Sequence, residues 1–323
     1  MKPDFRILAD RRDITARIRD RLLSLRITDE AGIQSDTVEI LLDDRDGRIE
    51  WPTHGAELEV FLGNGRSGLS RMGLYVVDEV EHSGPPASLT IRGKAADMRA
   101  AIKAPRTRSW HDLSLGDLVA TIATEHGLTP RVAESLAGIH VTHLDQTEES
   151  DLHLLTRLAR EHGTVAKPVA GFLVFVPRGE AKAATGRDLP TIPITATDVS
   201  RHRMTQAERG KYQAVRAWWH DPNGADRVPV LVGDGKPVYT LRHPYPDAEA
   251  ATRAATAKLE SLRRGNATLS LTLIGNPALQ AEGKIRLTGL RDPVDGEWLL
   301  QRIEHQFDGR GFVTRIEAET PNR

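Results

Sequence analysis

The sequence predicts a mainly β protein of the α+β class, in which two antiparallel β units, barrel or sandwich, flank a small inserted α/β region. Three observations predict it. Apolar and polar residues alternate from Leu22 to about Gly93, which is the periodicity of half-buried strands. Near Ala100 the apolar spacing changes to three and four residues, the periodicity of an amphipathic helix. Beyond Ile192 the strand alternation returns.

The first β unit is expected over residues 1–100. Its strands are marked by Leu23, Leu25 and Ile27; Val38, Ile40 and Leu42; Leu58, Val60 and Leu62; Met72, Leu74 and Val76; and Leu89 and Ile91. Turn residues separate these runs at hairpin-like spacings, in Asp44-Arg45-Asp46-Gly47, Gly63-Asn64-Gly65 and Ser83-Gly84-Pro85-Pro86.

The insert is expected over 101–188. Ser114 reads as an N-cap with Asp117 three residues on, and Leu118, Val119, Ile122 and Ala123 make the buried stripe that follows. Asp145 and Glu148 read as a second capping pair before Leu152, Leu155, Leu158 and Ala159, with Gly163 as a left-handed stop. Gly171 to Pro177 is short and apolar enough for a buried strand, and polar Arg178 to Asp188 reads as an exposed connection that marks the boundary.

The second β unit is expected over 189–323. Strand signals run through Ala214–Trp219, Val228–Val232 and Val238–Leu241, then Leu269, Leu271 and Leu273; Ile285 and Leu287; Trp298 and Leu300; and Phe312, Ile316 and Ala318. One helix intervenes, capped by Asp247 and closed by Gly265. Ala251, Ala254, Ala255, Leu259 and Leu262 form its apolar stripe, with Arg253, Glu260 and Arg263 largely outside, so the helix is expected to pack against its own barrel.

Bulk properties bound the function. Lys and Arg total 44 against 45 Asp and Glu among 323 residues, so no net field draws the molecule to nucleic acid or an anionic membrane. With no cysteine there are no disulfides, thiolate zinc sites or cysteine nucleophile. The start Met1-Lys2-Pro3-Asp4-Phe5-Arg6 lacks the apolar core of a signal peptide, and no run of about 18 apolar residues occurs, so a soluble cytoplasmic product without membrane insertion is expected.

The residues that invite a chemical reading each have a plainer one. His140, His143, His153 and His162 concentrate imidazoles, but the first two, three apart in an extended segment, point to opposite faces, and no HExxH pattern occurs. Gly233-Asp234-Gly235-Lys236-Pro237 lacks the spacing and the Ser or Thr of a phosphate loop and reads as a β-turn. Asp44-Arg45-Asp46-Gly47 lacks the twelfth-position acid of a calcium loop and reads as a hairpin turn. Glu148, Glu149 and Asp151 could be the carboxylates of a glycosidase, yet acids at a helix start complement the helix dipole. No Gly-x-Ser-x-Gly elbow is present. Trp218-Trp219-His220 beside Arg216 could stack on bases or sugars, but alternation sends the two indoles to opposite faces, one to the core and the other outward, where it could lie at a subunit contact. No catalytic, cofactor-binding or metal residue is therefore assigned.

Taken in order, several segments resemble the phage late control protein D family. In the insert these are Ser114-Leu115-Gly116-Asp117-Leu118, Glu125-His126-Gly127-Leu128, Gln146 to Asp151, and Leu154 to Ala159. Toward the C-terminus they are Ala254 to Arg264, Leu271 to Pro277, Gly283-Lys284-Ile285, Asp295-Gly296-Glu297-Trp298 and Ile303-Glu304-His305. The resemblance covers nearly the whole chain, more firmly after Ser109.

That resemblance implies two tube-protein-like barrels and the role of a baseplate hub in a contractile tail, related to the N-terminal hub region of valine-glycine-repeat spike proteins of type VI secretion. A homotrimer is implied, whose six barrels mimic one layer of the hexameric tail tube and adapt it to a threefold spike. The implied partners are the tail tube protein, a separate central spike protein, other baseplate proteins and the tape-measure protein, in a virion assembled in the host cytoplasm. The channel wall is expected to be polar, of both signs, without a Lys/Arg stripe and without specific nucleic-acid binding. A tail-tip peptidoglycan hydrolase and a nucleic-acid-binding barrel are the alternatives; with 5% aromatic residues, stacking platforms are scarce.

Overall fold

The computed structural model describes residues 2–32, 35–64, 68–96, 100–169, 171–177, 190–206, 212–221, 224, 226–263 and 267–321. The first part of the chain contains β1 (Pro3–Ala9), β2 (Arg12–Asp13), α1 (Thr15–Ile18), β3 (Leu22–Glu30), β4 (Thr37–Asp43), β5 (Glu57–Asn64), β6 (Gly68–Ser83) and β7 (Ser88–Ala95). Alternation decides which side chains enter the core: Leu25 and Ile27 of β3 and Val38, Ile40 and Leu42 of β4 are buried, while Arg26 and Glu39 between them face outward. Gly93 of β7 is required by close approach, since a Cβ there would meet the Val76 carbonyl oxygen at 2.9 Å.

The middle part contains β8 (Pro105–Ser114), α2 (Leu115–Glu125), β9 (Thr129–Val132), α3 (Glu134–Ala137), β10 (His140–Ser150), α4 (Asp151–His162), β11 (Thr164–Val169) and β12 (Phe172–Pro177). Ser114 caps α2 by accepting from the Asp117 amide, as its position predicts. The α4 cap differs from expectation. Ser150 accepts from the His153 amide, and Asp145 and Glu148 lie in β10, because pairing with β8 holds that segment extended until Ser150. Gly163 ends α4 at φ 64°. The stripes of α2 and α4 share one core with Trp110, Leu173 and Phe175.

The last part contains β13 (Ile192–Thr195), β14 (Val199–Gln206), β15 (Ala214–Asp221), β16 (Asp226–Gly233), β17 (Val238–Tyr245), α5 (Ala248–Arg263), β18 (Ala267–Ile274), β19 (Lys284–Thr288), β20 (Gly296–Asp308) and β21 (Gly311–Glu319). Asp247 caps α5 by accepting from the Ala250 amide at 2.7 Å. The connection 178–188 and Gly265 lie outside the described residues.

Among the described residues, one 13-stranded sheet runs in the order β14-β18-β21-β20-β3-β4-β7-β6-β5-β1-β2, with β19 on β20 and β13 on β19. The two β units are thus joined edge to edge by β20 and β3, antiparallel, with Arg26 opposite Gln306. Each unit curls around its own core, and Phe312 of β21 reaches across into the first. Within this sheet the pairs are antiparallel except β13 with β19; in the smaller sheets β12 with β9 and β15 with β17 are also parallel.

Two expectations are corrected. The Asp44–Gly47 turn is present, with the Gly47 amide 2.9 Å from the Asp44 carbonyl, but it closes no hairpin: β4 pairs with β3 and β7, not with β5. Helix α5 does not cover the second barrel. Ala251, Ala255 and Leu259 pack on Val215, Ala217 and Trp219 of the separate β16-β15-β17 sheet, and Gly163 at the end of α4 lies against Ala257. The reason is that Leu269, Leu271, Leu273, Trp298, Ile303 and Ile316 already fill the barrel interior, whereas the three-stranded sheet has a face to cover.

Candidate functional site

The outward face of the long sheet carries a row of alternating charges across six strands. It begins with Arg315 of β21 bonded to Glu304 of β20. Glu304 is 3.8 Å from Arg26 of β3, which is 3.5 Å from Glu39 of β4. Arg92 of β7 continues the row, 3.0 Å from Glu39, 2.5 Å from Glu79 and 2.9 Å from Glu81 of β6. Strand period two places these side chains on one face, and register places opposite signs side by side. Hydrogen bonds to Glu39 and then Glu81 hold the Arg92 guanidinium's pKa above its ordinary value. The row crosses the β20–β3 joint without a break, so a broad polar surface is nearly neutral at every step.

Behind that face, a second cluster locks the joint to the insert. Lys167 of β11 donates to the Glu30 carbonyl at 2.6 Å and to Asp36 at 2.7 Å, and lies 3.4 Å from Asp29. Asp29 also accepts from the Ala281 amide at 2.8 Å, tying in the second β unit. Burial, and then the Asp29 charge, push the Asp36 pKa up to about 6 against the opposing pull of Lys167. Burial alone would lower the Lys167 pKa, but Asp29 and Asp36 outweigh it and raise it.

The residues singled out by sequence are scattered. His140 lies 3.7 Å from Asp112, His143 contacts His111 and Asp145, His153 lies 3.7 Å from Glu149, and His162 is largely buried in α4. Glu148 sits in β10, Glu149 pairs with Arg157 at 2.8 Å, and Asp151 is fully buried. Asp151 accepts from Arg108 at 2.7 Å and Gln146 at 2.8 Å and is 2.8 Å from His126 Nε2. Burial pushes the Asp151 pKa up, but these bonds and the Arg108 charge outweigh it and hold it low. Gly233–Pro237 is the connection from β16 to β17. Trp219 joins the α5 core, while Trp218 takes the other face of β15, as alternation predicts. Sequence reasoning missed Lys167, Asp29 and Asp36, and no local pattern marks them.

Two β units are fused through one sheet and present a wide face of paired charges. The chain belongs to the phage tail baseplate hub family, whose sequence model matches residues 52–310. It is 36% identical to the "Probable baseplate hub protein" of Escherichia phage 186, over 99% of this chain and 93% of that one. It is 35% identical to the protein of the same description from Escherichia phage P2, with the same coverage. The 43 kDa tail protein of prophage MuSo2 from Shewanella oneidensis shares the fold, with a TM-score of 0.75 over 98% of both chains at 15% identity.

Proposed function

We propose that this chain is the structural baseplate hub of a contractile phage tail or tail-like particle, a homotrimer joining the hexameric tail tube to a separate trimeric spike. The observation that carries this reading is the single sheet through both β units. Three chains with two tube-like units each present six units in a ring, which matches a sixfold tube on one side and a threefold spike on the other. The descriptions of the phage 186 and P2 relatives support the same role. The charged row of Arg26, Glu39, Arg92 and Glu304 faces the channel in this reading, where alternating sign denies DNA a run of phosphate contacts.

The organisation that follows is a first tube-like unit over 1–100, an insert over 101–188 and a second tube-like unit from 189, interrupted by the β15–α5 layer. The protein sits in the tail baseplate of the virion after assembly in the host cytoplasm, in contact with tube, spike, other baseplate proteins and tape measure. It has no enzymatic activity in this reading: of Glu148, Glu149 and Asp151, the acids open to a glycosidase reading, two are engaged, Glu149 by Arg157 and Asp151 by Arg108. Mass measurement of native particles tests the reading, with three copies per tail expected. Six or twelve copies, or clearing of peptidoglycan by the purified chain, would overturn it.

A further inference from the structure

His111 of β8 stands directly opposite His143 of β10, although the two are 32 residues apart in sequence. Their Nδ1 atoms are 3.1 Å apart and both rings are exposed. The other nitrogen of His143, Nε2, lies 3.2 Å from Asp145 Oδ2. Asp145 in turn accepts from Ser109 Oγ at 2.6 Å. With its Nε2 turned to the Asp145 carboxylate, His143 presents Nδ1 to His111.

We propose that His111 and His143 form a two-imidazole half-site for a borderline divalent transition-metal ion, Zn²⁺, Ni²⁺ or Cu²⁺, on the β8–β10 ladder. Two nitrogens each about 2.0–2.1 Å from Zn²⁺ at a near-tetrahedral angle lie about 3.2–3.4 Å apart, so the observed separation needs only a slight spreading of the rings. Asp145 supplies the carboxylate behind a ligating imidazole that orients the ring and raises its basicity. Imidazole donors select these ions over Mg²⁺ and Ca²⁺.

Without metal, the 3.1 Å contact between the two Nδ1 atoms needs a proton on one of them. On binding, that proton is released to water or reappears on the Nε2 of the same ring, and both Nδ1 lone pairs turn to the ion. Two or more coordination positions stay open to water or to a side chain of an abutting protein in the assembled tail.

Glu125, His126 and Asp151 also gather three possible ligand atoms, but they are a poorer site. Arg106 and Arg108 lie 3.5 and 2.7 Å from the Asp151 oxygens, so a cation there must displace two guanidinium groups. At the His pair the neighbouring charge is the Asp145 carboxylate, and Asp112 beside His140 adds a second acid on the same ladder.

Calorimetric titration of the full chain with Zn²⁺ tests the proposal, together with the Cu²⁺ electron paramagnetic resonance spectrum. One site per chain with two nitrogen ligands is expected. His111→Ala and His143→Ala each abolish it, Asp145→Asn weakens it by about 10–100-fold, and His140→Ala leaves it unchanged. All four positions are exposed, and unchanged thermal unfolding of the metal-free variants shows that they fold. Zn²⁺ affinity that survives His111→Ala or His143→Ala, or a Cu²⁺ spectrum with fewer than two nitrogens, would overturn the assignment.

Discussion

The charged row on the sheet and the Lys167 cluster are built from the same residue types, but one lies against water and the other does not. Arg26 is 42% exposed at its side chain, whereas Lys167 is 12% exposed. Exposed ion pairs stabilise a fold by about 0–1 kcal/mol each, so the row contributes little to stability and much to the character of the surface. Buried pairs behave differently, because removing one partner strands a charge in a medium that solvates it poorly. Arg26 and Asp29 are three residues apart on β3, so alternation assigns the first to the row and the second to the joint. Position relative to the pleat, rather than residue type, separates surface from lock.

The largest expected effect is at the lock. Lys167→Met keeps the length of the side chain and leaves Asp29 and Asp36 without their cation, which should destabilise the protein by about 3–5 kcal/mol in urea unfolding. A change below about 1 kcal/mol would place the cluster in the same regime as the exposed row.

A smaller, pH-dependent effect sharpens the contrast. A carboxyl whose folded pKa stands above its unfolded value favours the fold when protonated, and this advantage is lost as pH rises through that interval. For Asp36 the interval runs from 3.8 to about 6, which corresponds to at most about 3 kcal/mol. Asp36→Asn carries no charge at any pH. Its stability relative to the parent should therefore grow by up to about 3 kcal/mol between pH 4 and pH 7, and stay level above that. A difference independent of pH would mean that Asp36 ionises as an exposed carboxyl does.

The smallest effect on stability is expected in the row itself. Glu39→Lys removes the partner shared by Arg26 and Arg92, yet should change stability by no more than about 1 kcal/mol. Its consequence should appear in filter binding, as tighter DNA retention with a steeper salt dependence than the parent shows. Severe destabilisation without any gain in DNA affinity would make the row a lock as well.

What was legible in the sequence was local. Alternation at Leu25, Ile27, Val38 and Ile40 revealed strands, Ser114 revealed a helix start, and Gly163 a helix end, because each signal lies within a few residues of its effect. The partners of these elements were less legible. The stripe of α5 shows that a face must be covered, but the covered surface is built by β15, more than thirty residues upstream. Asp36 and Lys167 are separated by 131 residues, so their pairing exists only after the sheet has formed. Asp151 read as a helix-start acid, and is one; that Arg108 and Gln146 enclose it depends on the β8–β10 register.

The β20–β3 joint also governs when the protein can exist during its synthesis. Strand β3 leaves the ribosome well before its partner β20 and before Phe312, which completes the first core. At bacterial elongation rates of about 5–20 residues per second, the nascent first unit waits on the order of 10–60 seconds with one edge unpaired. A polypeptide cut short before β20 by damaged message or early termination never acquires that edge's partner, and so lacks the continuous sheet. Synthesis of β20 and β21 is in this sense a condition for closing the first unit, imposed by topology rather than by a separate checkpoint.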